Sequence, residues 1–295
     1  MEIASRYSDL IRTFHLHREL HFLGSIDYIN KHGDSIRSRL KSFTTTENPL
    51  DIVVPAFNEQ NFLPACLDAL SRQTTPVRVL VVNNCSTDET SATAERLGVS
   101  KIIDQPHPGI GATKKAGILA TTSPFLLITD ADSAPLPTWS ASMLNAISRN
   151  SRLLAAYSPV LFHDADTLAL YLYNLLSITG KLAKDLLKTP HYQGASTVLK
   201  SEVRDWINKE NDPQAGDDGL TFRIINKHHG KVAWNWNINS LVFTSARRIK
   251  TQGLNKVLMR RVLHLLTGNS DIAYYSLYSD WERGSLKSAK NTTAQ

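Results

Sequence analysis

The sequence predicts an α/β fold whose core is a parallel sheet, and three apolar runs carry that prediction. They are Asp51-Ile52-Val53-Val54, Val77-Arg78-Val79-Leu80-Val81-Val82 and Leu126-Leu127-Ile128-Thr129. Each run is short, ends in a polar cluster and is bounded by a helical pattern, so each reads as a buried strand. Strand, helix, strand, helix, strand in this rhythm makes parallel βαβ units. The polar clusters then converge on one edge of the sheet, the edge at which open α/β sheets bind ligands.

The elements follow in order. Residues 1–47 form a helical N-terminal extension: Ile3 to Leu23 is amphipathic, Gly24 and Gly33 punctuate it, and Ser42 to Asn48 is a polar linker into the core. His17 and His21 have the i, i+4 spacing of helical metal pairs, with His15 nearby. No carboxylate cluster accompanies them, so no metal site is expected there. The first core strand breaks at Pro55 into the loop Ala56-Phe57-Asn58-Glu59, followed by a helix from Asn61 to Arg72. The second ends in Asn83-Asn84-Cys85-Ser86-Thr87-Asp88, and Asp88 and Glu89 suit the positive end of the next helix. The third unit opens at Gly109-Ile110-Gly111-Ala112-Thr113-Lys114-Lys115 and passes through a small-residue helix into Leu126–Ser133. Asp130 and Asp132 lie at the end of that strand. Two hard oxygen donors in this place suit Mg²⁺ or Mn²⁺ carrying a diphosphate. An Asp-x-Asp pair is a weak sign by itself; three polar strand ends beside it make a nucleotide site in outline.

With those stretches in hand, residues 51 to about 145 resemble the nucleotide-sugar-binding half of a family 2 glycosyltransferase with the GT-A fold. The matching stretches are Val54-Pro55-Ala56-Phe57-Asn58-Glu59, Val82-Asn83-Asn84-Cys85-Ser86-Thr87-Asp88, Lys114-Lys115-Ala116-Gly117 and Asp130-Ala131-Asp132. Gly216-Asp217-Asp218-Gly219-Leu220 resembles the family's acidic pair before a helix, and Thr244-Ser245-Ala246-Arg247-Arg248 the loop that closes its core. The resemblance implies a Rossmann-like mixed sheet flanked by helices, over residues 48–250, with an acceptor half at about 146–250. It implies that Pro55, Ala56, Asn58 and Glu59 line base and ribose, and that Lys114 lies near the nucleotide. Asp130 with Ala131 would face the ribose, and Asp132 with Asp130 would hold the metal. Asp218 would be the catalytic base, with Asp217 in place of the more usual Glu beside it. Asn83 and Asn84 stand where the family usually has two acidic residues; amides both donate and accept, so a base edge can still be read. Arg247 and Arg248 would either add positive charge near the diphosphate or form a solvated basic turn.

The implied chemistry is transfer of a sugar from a nucleoside-diphosphate sugar to an acceptor hydroxyl of a glycan, glycolipid or lipid-linked molecule, with inversion. A divalent ion neutralises charge on the departing diphosphate, and a carboxylate takes the acceptor proton. Two other readings stay open. A sugar nucleotidyltransferase would open with a glycine-rich loop, which Pro55–Glu59 is not, and a non-catalytic nucleotide-sugar or scaffold protein is motivated by Asn83 and Asn84.

Composition bounds the rest. A chain of 295 residues with 42% apolar residues buries a sizeable core. Cys66 and Cys85 form neither a disulfide framework nor a zinc pattern. The N-terminus lacks a signal-peptide layout, which predicts a cytoplasmic protein. The net charge of +6 resides in residues 245–295, with 9 basic and 3 acidic side chains. Within this basic tail (251–295), Leu254 to Leu266 is amphipathic, with Lys256, Arg260, Arg261 and His264 on one arc. Such a segment either packs on the core or makes peripheral contact with an anionic membrane. Nucleic acid is not expected, because no aromatic-interleaved basic patch is present. Thr167 to Thr179 is an apolar helix too short for a bilayer span, hence buried or interfacial. Trp234 and Trp236 alternate as in a strand, which leaves two readings: one side chain in the core with the other as a platform for an acceptor sugar, or simple burial. His228-His229 reads as surface.

Overall fold

The computed structural model describes residues 2–44, 46, 49–164, 167–187 and 193–253. In chain order the elements are α1 (Glu2–Leu23), α2 (Ser25–Thr44), β1 (Leu50–Ala56), α3 (Leu63–Ser71), β2 (Val77–Asn84), α4 (Thr90–Arg96), β3 (Lys101–Gln105) and α5 (Ile110–Leu119). Next come β4 (Phe125–Ile128), β5 (Ser133–Pro135), α6 (Trp139–Ser148), β6 (Leu153–Tyr157), β7 (Val160–Phe162), α7 (Leu168–Leu186) and β8 (Thr197–Lys200). The last are α8 (Ser201–Lys209), α9 (Asp218–Lys227), β9 (Lys231–Trp234), β10 (Val242–Thr244) and α10 (Arg247–Gln252).

Seven strands form the main sheet in the order β3-β2-β1-β4-β8-β6-β9. The first four are parallel, as the three βαβ units require, and β8 runs antiparallel to both β4 and β6. The expected mixed sheet is therefore present. The centre of its parallel half is covered on both faces by helices: β1 is buried along its whole length. A second sheet, β5-β10-β7, sits beyond the carboxyl end of β4. It pairs Thr244 with Ser133, which draws the segment after β10 onto the Asp130–Asp132 turn.

Gly24, at φ 78°, separates α1 from α2 as the sequence suggests. Gly33 does not interrupt α2. It is buried there, and a Cβ would stand 3.2 Å from Ile29, so this glycine serves close packing and not a turn. The two helices are built into the main core: Leu16, Leu20, Tyr28, Ile36 and Leu40 join the cluster that holds β1 and α3. Asp68 on α3 anchors α2, accepting from Tyr28 Oη at 2.9 Å and from Arg39 at 2.6 Å. The amphipathic stretch Leu254–Leu266 lies outside the described residues.

Candidate functional site

The carboxyl ends of β1, β2 and β4 open into one shallow cleft. Its lining includes Pro55, Ala56, Phe57, Glu59, Asn84, Ile110, Thr113, Asp130, Ala131 and Asp132. Strand β4 ends at Ile128, so the two aspartates stand in the turn between β4 and β5. Asp132 is buried, Asp130 half-buried.

Asp132 is held by the segment that follows β10. Its Oδ1 accepts from Thr244 Oγ1 at 3.2 Å, and its Oδ2 lies 3.2 Å from Arg247 Nε. The other arm of the same guanidinium binds Glu59 of the first loop, and its plane lies 4.3 Å from the centre of the Phe62 ring. Asp164 fixes the geometry behind Arg247: it accepts from the Ala246 amide at 2.6 Å and from Ser245 Oγ at 2.9 Å, at the start of α10. The structure thus unites Glu59, Asp132 and Arg247. Nothing is described of the Arg248 side chain.

Asn83 and Asn84 part company. Asn83 is tied into the fold, donating to Asp104 at 2.9 Å and accepting from the Ser86 amide at 3.2 Å. Asn84 is buried against the cleft, and its Oδ1 has no hydrogen-bond partner. Asn58, at φ 53°, is exposed and outside the cleft lining; its Oδ1 accepts from the Thr87 amide at 2.8 Å and so stitches two loops together.

The second acidic pair meets α5. Lys114 Nζ lies 2.7 Å from Asp218 Oδ1, and both side chains are buried. Asp217 caps α9, accepting from the Gly219 amide at 2.9 Å. Burial pushes its carboxyl above the ordinary range, and the neighbouring Asp218 charge adds to the rise. Two glycines make this approach possible. A Cβ on Gly194 would fall 2.1 Å from Asp218 Oδ2, and one on Gly216 would fall 2.2 Å from the Lys115 amide. Lys115 donates to the carbonyls of Glu210 and Asp212, fixing the loop that leads to Asp217.

Trp234 and Trp236 do not divide between core and surface. Both are half-buried and stack on each other with ring centres 5.2 Å apart. Lys181 of α7 covers Trp234 at 5.5 Å and also binds Gln193, next to Gly194. Trp236 donates to Asp185 at 2.7 Å. His228 is exposed and stacks on Trp206 at 3.9 Å, in keeping with a surface position.

Sequence reasoning missed Asp164, Phe62, Thr113 and Gly194. Asp164 and Gly194 lie outside every recognisable motif, and only the pairing of β10 with β5 and β7 reveals what Asp164 supports. Cys66 was read only as not a disulfide. Its buried thiol donates to the Asp130 carbonyl at 3.6 Å; burial pushes that thiol up, and the charges of Asp132, Asp130 and Glu59 push it further.

The donor set fits a hard divalent cation: Asp132 and Asp130 supply oxygens at a buried turn. Among the described residues no cluster of three or more His, Cys, Asp or Glu is arranged to hold a metal unaided. A cation at this turn would need oxygens from outside these side chains to complete its shell, as Mg²⁺ commonly takes from phosphate and water.

The model of glycosyl transferase family 2 matches residues 51–205. An uncharacterised glycosyltransferase of Mycobacterium tuberculosis is 42% identical over 81 residues, covering 28% of this chain and 35% of that protein. The putative glycosyltransferase EpsH of Bacillus subtilis is 26% identical over 120 residues, covering 39% of this chain and 35% of its own. The chain thus spans about a third of the length of these curated relatives. Among solved structures, a Pyrobaculum calidifontis mannosyltransferase in complex with GDP-mannose and Mn²⁺ superposes with a TM-score of 0.51 at 17% identity, over 80% of this chain and 72% of that one. Glucosyl-3-phosphoglycerate synthase of Mycobacterium tuberculosis gives 0.50 at 15% identity, over 72% and 78%. These likenesses speak for the shared fold.

Proposed function

Since the chain belongs to glycosyl transferase family 2, we propose that it is a metal-assisted, inverting enzyme that moves a sugar from a nucleoside-diphosphate sugar to an acceptor hydroxyl. The observation that carries the reading is the arrangement of two acidic pairs around the carboxyl ends of the parallel strands: Asp130 with Asp132 at one side, and Asp218 clamped by Lys114 at the other. The first suits the diphosphate end of a donor, the second the acceptor.

In this reading the base and ribose enter the cleft between Pro55, Ala56, Asn84 and Asp130, and the unmet Asn84 oxygen accepts a donor N–H or O–H. Asp132 and Asp130 would hold a divalent ion, which would supply positive charge against the diphosphate. Lys114 has two anions within its range of action, Asp218 now and the diphosphate once it arrives. Transfer of the ammonium to phosphate frees the Asp218 carboxylate. Asp218 then takes the proton of the acceptor hydroxyl while that oxygen forms its bond to the anomeric carbon and the carbon–diphosphate bond breaks. Asp217 keeps the first turn of α9, and with it Asp218, in place. The stacked Trp234 and Trp236 offer an aromatic platform beside the base for an acceptor sugar.

Calorimetry tests the donor site. Binding of UDP, GDP, CDP, ADP and dTDP is measured with and without Mn²⁺, for the wild type and Asp132→Ala. One nucleotide is expected to bind in a metal-dependent way and to lose at least about tenfold in affinity in the variant, because a directly coordinating carboxylate is removed. No binding of any nucleotide under either condition would overturn the transferase reading in favour of a scaffold protein.

A further inference from the structure

Helix α7 is inside out. Its buried face carries the polar Asn174 and Ser177 beside Leu170 and Tyr173, while Lys181 and Asp185 turn to Trp234 and Trp236. Its solvent face is a stripe of large apolar side chains: Leu168, Tyr171, Leu172, Leu175, Leu176 and Leu186. Leu168 and Leu186 are each 75% exposed and Leu176 is 60% exposed, so the stripe runs the length of the helix. The spacing i, i+3, i+4, i+7, i+8 is that of a helix which buries this face against something. Contiguous apolar patches of this kind mark an interaction surface, since a soluble surface rarely keeps one.

We propose that the outer face of α7 is a membrane-docking surface that lies flat in the headgroup region of an anionic bilayer. One observation favours a bilayer, and another restricts how α7 could meet it. Among the described residues no helix is long and apolar enough to cross a membrane, so α7 can lie in the interface but not span it. The whole excess charge of the chain, +6, belongs to residues 245–295, and that segment begins under the inner face of α7, where Ala246 and Ile249 pack on Leu170 and Tyr173. The apolar stripe matches the headgroup–acyl boundary in chemistry, and the basic composition of the sequence that follows α10 matches an anionic lipid surface in charge. A second copy of the chain would bring like charge to like charge. Trp234 and Trp236 meet α7 through Lys181 and Asp185, so docking through this helix would bring the stacked pair towards the interface and favour amphiphilic acceptors. The surface itself is independent of the transfer chemistry.

The full-length protein is sedimented with vesicles of phosphatidylcholine alone and of an equal mixture with phosphatidylglycerol, beside the double variant Leu172→Glu/Leu176→Glu. The wild type is expected to pellet with the anionic vesicles. The variant is expected to lose at least about tenfold in partitioning while melting at the wild-type temperature, because both side chains face solvent in the unbound protein. Four outcomes overturn the proposal: a wild type that stays in the supernatant; a variant that binds equally well; a dimer in vesicle-free solution that the variant disperses; or a variant with a markedly lower Tm, which would mean that another part of the chain already covers the face.

Discussion

The two ends of β1 carry the same residue types and put them to opposite uses. At the amino end Asp51 is fully buried and fully met. Arg78 grips it through both arms, at 2.7 and 2.9 Å, and the amides of Thr122 and Ser123 donate at 2.6 and 2.9 Å. Four donors converge on one carboxylate and lock β1, β2 and the loop before β4 together. At the carboxyl end the arginine is divided instead: Arg247 spans Asp132 and Glu59, and beside them the Asn84 oxygen has no donor. A carboxylate that is saturated stabilises a fold; one that shares its cation can exchange it for another. The sheet therefore keeps its stability at one edge and its binding capacity at the other.

Removing the base separates the two edges most sharply. Asp218→Asn preserves shape and the first turn of α9 but cannot accept a proton. Turnover of the donor found by the nucleotide screen is expected to fall about 10³-fold, the usual range for loss of a general base, with nucleotide binding retained. Release of nucleoside diphosphate in initial-rate assays reads this out. A variant with near wild-type turnover would take the base away from Asp218.

Next in size is the opposite edge. Asp51→Ala strands the amides of Thr122 and Ser123 and frees Arg78, which should cost about 3 kcal/mol of stability. Asp132→Ala leaves Arg247 its bond to Glu59 and its place on Phe62, so it should cost less than about 1 kcal/mol while abolishing metal-dependent binding. Urea denaturation of the two variants side by side checks the contrast. The pH dependence follows with its sign. Burial pushes the Asp51 carboxyl up, but the hydrogen bonds from Arg78 and the two amides outweigh it and hold the group below its ordinary value. Its stabilisation is present above the unfolded-state value and is lost as pH falls through the lower, folded value. The wild type should therefore lose stability in acid faster than Asp51→Asn. Parallel acid profiles would break the comparison.

This contrast also explains what the sequence disclosed. The parallel strands were legible because β-branched runs buried on both faces read as strands wherever they occur, and the acidic stretches were legible because they match known motifs at known strand ends. Strand β3 was not read, since Lys101–Gln105 is an edge strand with no buried position and no alternation. Nor could the sequence tell Asn83 from Asn84: one residue of offset in a strand sends one amide to Asp104 and the other to the cleft. Arg247 could be read two ways from the sequence, and its ion pairs with Glu59 and Asp132 depend on Asp164, more than 80 residues upstream and brought near by the register of β10. The solvent-facing leucines of α7 read as a buried or interfacial helix; only the structure tells which face turns outward.

The smallest expected effect comes from Asp217, which lies at the binding edge yet acts on stability. Burial and the Asp218 charge raise its carboxyl in the folded state. A raised group stabilises the fold fully below its unfolded-state value, and that contribution is lost as pH rises through the folded value. The charged form of Asp217 is therefore a net cost even with the amides of Gly219 and Leu220 donating to it. Asn caps a helix as well as Asp and has no charge to desolvate. Asp217→Asn should thus gain about 0.5 kcal/mol at pH 7, and the gain should shrink as pH falls into the range where Asp217 binds its proton. Urea midpoints at pH 8, 7 and 5 measure it. A loss at pH 7 would mean that the charge on Asp217 is being used, as the charge on Asp51 is, and would move this residue from the binding edge of the comparison to the stabilising one.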